Sequence, residues 1–145
     1  MFNGNILRDA IISAANNLAN NRKQVDDLNV FPVPDGDTGT NMSMTLANSV
    51  RELEKIAGAT AGKVASVNAS ALLRGARGNS GVITSLLFRG FAKGIGDEET
   101  VTAENLANEY FVVTGSGKFF RNVILNPAAN ICILRLNEKG DSYQV

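Results

Sequence analysis

Histidine and tryptophan are absent from this chain, and cysteine occurs once, at Cys132. Without an imidazole, neither histidine-based acid–base catalysis nor a histidine-activated nucleophile can operate within it. A single thiol forms no internal disulfide and, alone, no zinc site, so a lone buried-type thiol is its plain reading. An excess of either charge is also lacking: Lys plus Arg and Asp plus Glu number 14 each, for a formal net charge of zero. That removes the basic footprint by which nucleic acid is held, and no nucleic-acid partner is expected. No apolar run reaches the roughly eighteen residues of a membrane span, and MFNGNILRDAIISAANNLANN at the N-terminus has no continuous apolar core of signal-peptide type. The expectation is a cytoplasmic protein without a membrane span. Its chemistry must rest on carboxylates, amides, hydroxyls, backbone groups and metal.

What is present is mostly helical periodicity. A chain of 145 residues is long enough for one sizeable core. Leu7, Ile11, Ala14 and Leu18 recur at spacings of four, three and four, with Arg8, Asp9, Asn16 and Asn17 on other faces, which predicts an amphipathic helix. Met42, Leu46, Val50, Leu53 and Ile56 predict a second over about 41–56. Val64, Val67 and Ala71 mark a short helix rich in small residues, and a strong one begins in VITSLLFRGF, with Val82, Leu86 and Phe91. Thr102 is placed to cap a weaker helix, TAENLANEY. The fold class expected is all-α, an antiparallel bundle or barrel of amphipathic helices. From Tyr110 onward, YFVV, FF, NVIL and NICILRL are β-branched and aromatic and are interrupted by glycines and Pro127, so the tail reads as two or three short strands. This gives a helical domain over 1–110 and a divergent tail over 111–145.

Between the first two helices lies NVFPVPDGDTGTNM, residues 29–42. Pro32 and Pro34 force extended conformations on Phe31 and Val33, while Gly36 and Gly39 allow backbone shapes that a side chain opposes. The loop is therefore fixed. Asp35 and Asp37, two apart on such a loop, repel unless a cation lies between them, and their oxygens suit Mg²⁺ or Ca²⁺. A calcium hand fails, because its sixth position is Thr40 rather than glycine and its twelfth is Leu46 rather than glutamate. The plain alternative is an Asp-Gly turn that caps the following helix. Asp26 enters only as a control carboxylate outside the loop.

A second cluster, GARGNSG, spaces Gly75, Gly78 and Gly81 evenly by three and matches neither a phosphate loop nor a dinucleotide fingerprint. It too leads into a helix, whose unpaired N–H groups and dipole favour an anion, with Asn79 and Ser80 as further donors. Its plain alternative is a tight helix–helix turn. One acidic, metal-seeking junction and one N–H-rich, anion-seeking junction together suit a metal-bound polyphosphate.

LNVFPVPDGDTGTNMSMT, followed by GARGNSGVI and LFRGFAKG, resembles the N-terminal nucleotide-binding domain of the fatty acid kinase A family, a DAK2-type, dihydroxyacetone kinase L-subunit-like domain. The resemblance covers about residues 1–108. It implies a closed barrel of antiparallel helices whose loops at one end bind ATP or ADP with Mg²⁺, and phosphorylation of a fatty acid presented by a separate lipid-binding B subunit. By that resemblance Asp35 and Asp37 are the catalytic, Mg²⁺-binding aspartates and Asn29 a further metal ligand. Thr38, Gly39, Thr40 and Asn41 form the phosphate-contacting end of the first motif, and Gly78, Asn79, Ser80 and Gly81 form the second. Two alternatives stand beside it: a dihydroxyacetone kinase L-type subunit, and a catalytically silent nucleotide-binding or regulatory module. The second arises because Ala128, Ala129 and Asn130 replace the family's glutamate-glycine-threonine stretch after the proline. An unclosed barrel would also invite homo-oligomer formation, and this chain alone would then transfer phosphate poorly even with a partner supplied.

Overall fold

The computed structural model describes residues 2–30, 34–102, 134–136 and 142–144. Five helices make up most of it: α1 Gly4–Asn20, α2 Arg22–Asp27, α3 Thr38–Leu53, α4 Ala61–Gly75 and α5 Gly78–Ile95. Two short antiparallel strand pairs accompany them. Strand β1, Phe2–Asn3, pairs with β2, Thr100–Val101, and β3, Leu134–Leu136, pairs with β4, Ser142–Gln144. The all-α expectation is met, and the β3–β4 pair falls within the tail whose composition is strand-like. The weak helix expected over 102–110 lies outside the described residues except for Thr102, as do Cys132 and the residues at 128–130.

Local chemistry explains where the helices start and stop. Asn3 caps α1, its Oδ1 accepting from Ile6 N at 2.9 Å, and Thr60 caps α4, its hydroxyl oxygen accepting from Lys63 N at 3.2 Å. Ala61 and Gly62, in the first turn of α4, donate instead to the carbonyls of Glu99 and Glu98, so the chain leaving α5 supplies acceptors that the helix start lacks. Helix α3 runs from 38 to 53 rather than 41 to 56. Ile56 keeps the apolar period because it packs on the core from a turn, in which Lys55 N and Ile56 N bond to the carbonyls of Glu52 and Leu53.

The long helices alternate in direction. Helix α4 packs against α1, α3 and α5, and α3 also packs against α1, α2 and α5. Three apolar clusters run along the bundle. Ala61, Ala65, Ile95 and Val101 form one at the β1–β2 end; Ile11, Leu53 and Val64 form the middle; Ala15, Leu46 and Leu72 lie toward the opposite end. A polar seam is buried among them, where the Ser49 hydroxyl donates to Asn68 Oδ1 across the α3–α4 contact. The alanines and serines of α4 let the helices approach closely, as its small-residue composition predicts.

Candidate functional site

At the end of the bundle away from β1–β2, the start of α3, the short α2 and the α4–α5 turn come together. Apolar periodicity carries no signal for α2, whose six residues include none that is buried. It nevertheless forms the bed on which the start of α3 lies. A Cβ on Gly39 would overlap the Arg22 carbonyl oxygen and stand 2.9 Å from the Val25 Cβ, so the first turn of α3 lies directly on α2. Asn29 also reaches this turn, its Oδ1 accepting from the Thr38 hydroxyl at 2.7 Å.

Asp26, on α2, holds the turn most firmly. Its Oδ1 accepts from Thr40 N at 2.9 Å and its Oδ2 from the Thr40 hydroxyl at 2.8 Å. The Thr40 N–H contributes most to holding the Asp26 carboxyl below its ordinary pKa; the Thr40 hydroxyl, the Gly39 N–H and the Arg22 charge add to this, against desolvation that raises it. Sequence reasoning assigns no role to this residue. The available signal is an acidic residue on the far side of a proline-stiffened loop from an uncapped helix start, and no local capping template spans fourteen residues.

Asp37 occupies the N-cap position of α3 and makes no side-chain capping bond. Asp35 and Asp37 are both exposed, and neither carboxylate has a hydrogen bond or ion pair with a described residue. Among the described residues no group of three or more His, Cys, Asp or Glu side chains could hold a metal ion. The donor set is thus two carboxylates on one short loop. It fits a hard cation that keeps water or phosphate oxygens in most of its positions, as Mg²⁺ does, and does not fit an all-protein cage.

The second motif lies against the first. Two residues, Ala76 and Arg77, separate α4 from α5, so the glycine cluster is a tight helix–helix turn and Gly78 to Gly81 form the opening turn of α5. Gly78 has φ of 57°, in the region that opposes side chains, and a Cβ there would overlap Asn41 Nδ2. A Cβ on Gly81 would overlap the Thr45 hydroxyl, and one on Gly75 would stand 2.6 Å from the Asn48 Cβ. Asn41, Thr45 and Asn48 are one face of α3, spaced four and three, and the three glycines make the groove that receives it. The Thr45 hydroxyl then joins the two loops, donating to the Asn41 carbonyl at 2.7 Å and accepting from Arg77 N at 3.1 Å.

Arg77, the N-cap of α5, makes no side-chain capping bond, while Gly81 N returns to the Arg77 carbonyl at 2.9 Å. The N–H groups of the opening turn before Gly81 are the ones that an α-helix leaves without an intrahelical partner. Asn79 is exposed and Ser80 half-buried. The expected site residues Asn29, Asp35 and Asp37 to Asn41, and those from Gly78 to Gly81, therefore belong to one end of the bundle.

Fold and site together define a helical domain with two loop-to-helix junctions joined at one end, one rich in carboxylate and the other in unpaired N–H. The chain belongs to the DAK2 domain family, whose model matches residues 32–111, more than half of it. It is 49% identical over 109 residues to an uncharacterized protein of Staphylococcus haemolyticus, and 47% and 48% identical over the same length to uncharacterized proteins of Staphylococcus epidermidis and Staphylococcus aureus strain USA300. Each match covers 75% of this chain and 20% of the relative, so the chain spans about a fifth of the length of the curated relatives it matches. Helices α1 and α2 precede the matched residues yet pack into the same bundle. No helix among the described residues is long and apolar enough to cross a membrane.

Proposed function

We propose that this domain binds a magnesium nucleoside triphosphate, ATP, at the joined junctions, and that the protein containing it phosphorylates a fatty acid presented by a separate lipid-binding subunit. The observation that carries the nucleotide reading is the seating of the glycine turn against Asn41 and Thr45, which puts two unpartnered carboxylates and the uncapped start of α5 at one end of the domain. Asp35 and Asp37, with Asn29 beside them, are the residues that would hold the metal. Bound there, Mg²⁺ would neutralise phosphate charge and orient the transferring group.

The rest falls to the chain's own groups. The first-turn N–H groups of α5, with Asn79 and Ser80, provide donors for phosphate oxygens where the helix dipole favours negative charge. The tight packing of Gly75, Gly78 and Gly81 on α3 holds the two junctions at a constant separation, and phosphoryl transfer depends mainly on positioning and charge stabilisation. A carboxylate acceptor is already ionised and needs no general base, which agrees with a chain that has no histidine.

Calorimetric titration with Mg²⁺ alone, ADP alone and Mg-ADP tests the binding. Tight binding is expected only when metal and nucleotide are present together, and no heat with Mg-ADP would overturn the reading. Acyl phosphate trapped with hydroxylamine, after ATP and a fatty-acid-loaded lipid-binding subunit are added to the whole protein that contains this domain, tests the transfer. Phosphorylation of dihydroxyacetone instead would move the domain to the L-subunit type of activity.

A further inference from the structure

An aspartate at a helix N-cap ordinarily folds its carboxylate back to accept the N–H two or three residues ahead. Asp37 stands at the N-cap of α3, and the N–H three residues ahead is that of Thr40. That N–H is already taken, at 2.9 Å, by Asp26 from α2. Asp26 also takes the Thr40 hydroxyl proton at 2.8 Å, so both donors of Thr40 are committed to one carboxylate. Asp37 is left at the cap position without a capping bond.

We propose that Asp26 is a positioning residue that caps α3 in place of Asp37 and thereby frees the Asp37 carboxylate for a divalent cation. The device resolves a conflict within the DGDTGT segment, where the same aspartate is the natural cap and the natural metal ligand. Asp26 comes from a separate element, and α2 is seated so that its last turn faces the first turn of α3. The close approach of Gly39 to Arg22, Val25 and Asp26 leaves no room for a side chain between them. Gly36, between the two loop aspartates, has its nearest neighbour in the Asp26 carbonyl oxygen, at 3.9 Å from where its Cβ would be. With its only hydroxyl proton on Asp26, Thr40 keeps acceptor capacity at Oγ and cannot donate to a phosphate oxygen while that bond holds. The Thr40 hydroxyl is then not among the phosphate donors.

The capping exchange is tested by stability, independently of any ligand. Asp37→Ala should leave the thermal midpoint unchanged because Asp26 holds the cap. Asp26→Ala should cost little, because Asp37 can turn inward to the vacated Thr40 N–H. The double variant, with no cap, should lose more than the two single losses together. Losses that simply add would overturn the exchange.

The consequence for metal rests on the proposed nucleotide site and is read by calorimetry with Mg-ADP. Asp26→Ala should weaken binding roughly 10–100-fold, the usual effect of removing the group that orients a metal ligand. Asp26→Asn, whose amide oxygen can still accept from Thr40 N while its NH₂ donates to Oγ, should restore most of the affinity. Unchanged affinity in Asp26→Ala would overturn the positioning role. If the wild-type chain bound no Mg-ADP, the nucleotide reading would fail while the stability cycle still decided the capping exchange.

Discussion

The two junctions that meet at the end of the bundle start their helices by opposite means. At α3 the N-cap aspartate makes no cap, a carboxylate from another helix takes the Thr40 N–H, and Asn29 takes the Thr38 hydroxyl. At α5 no side chain caps the helix, and the turn is shaped by glycines lying directly on α3. On the proposed reading, this difference divides the chemistry between them. The α3 start is occupied by protein oxygen and offers spare carboxylates, which suits a cation; the α5 start offers N–H groups and no carboxylate of its own, which suits an anion. A metal-bound phosphate needs both, and neither junction alone would be a site.

The largest effect should come from removing the cation side. Asp35→Ala combined with Asp37→Ala should lower Mg-ADP affinity by at least the roughly 10–100-fold that losing a group which only orients a metal ligand costs, since here the ligands themselves are removed. Affinity for metal-free ADP should barely change, because the anion side is intact. If both affinities fell together, the division of labour between the junctions would be wrong.

Next in size is a break in the core remote from both. Leu53 is fully buried in the middle cluster with Ile11 and Val64. Leu53→Ala should destabilise the domain by about 2–5 kcal/mol, the range for such a truncation, as read by chemical denaturation. Below the unfolding transition its Mg-ADP affinity should match wild type, which separates stability from site geometry.

Gly78→Val should act on the anion side. A β-branched residue at positive φ costs roughly 1–3 kcal/mol, and its side chain would push Asn41 away. Circular dichroism should show most helix retained while ADP affinity falls both with and without Mg²⁺. That pattern contrasts with the aspartate variant, and a loss seen only with Mg²⁺ would place the metal at the wrong junction.

The smallest effect is on pH dependence. The Thr40 N–H is the main cause of the lowered pKa of Asp26 in the folded chain. Its contribution to stability is therefore complete above the unfolded value of about 4 and is lost as pH falls through the lower folded value. Asp26→Asn should remove that part of the acid slope and leave the neutral region alone. Thermal midpoints from pH 6 down to about pH 2 would show it, and an unchanged slope would mean that Asp26 does not interact with Thr40 in solution.

Much of the bundle is legible in the sequence because apolar periodicity follows from packing. Leu7, Ile11, Leu46, Leu53, Val64 and Leu72 all lie in its clusters. The boundaries of α3 are less legible, since Ile56 continues the pattern from a turn and the true start depends on a carboxylate fourteen residues away. The even spacing of Gly75, Gly78 and Gly81 is visible, but its reason is not: it answers Asn41, Thr45 and Asn48 on another helix. The tail over 111–145, apart from 134–136 and 142–144, lies outside the described residues.

By itself, then, the sequence determined an all-helical body, two special loops and the lack of any histidine chemistry, because composition and period act locally. Only the tertiary structure decided which groups share a surface. It placed α2 beneath the first turn of α3 and the second loop against α3, and it brought the Thr40 N–H to Asp26 rather than to its near neighbour Asp37. The physical reason is that a hydrogen-bond donor is satisfied by whichever acceptor the packing brings within reach, and in this domain the acceptor comes from a separate helix.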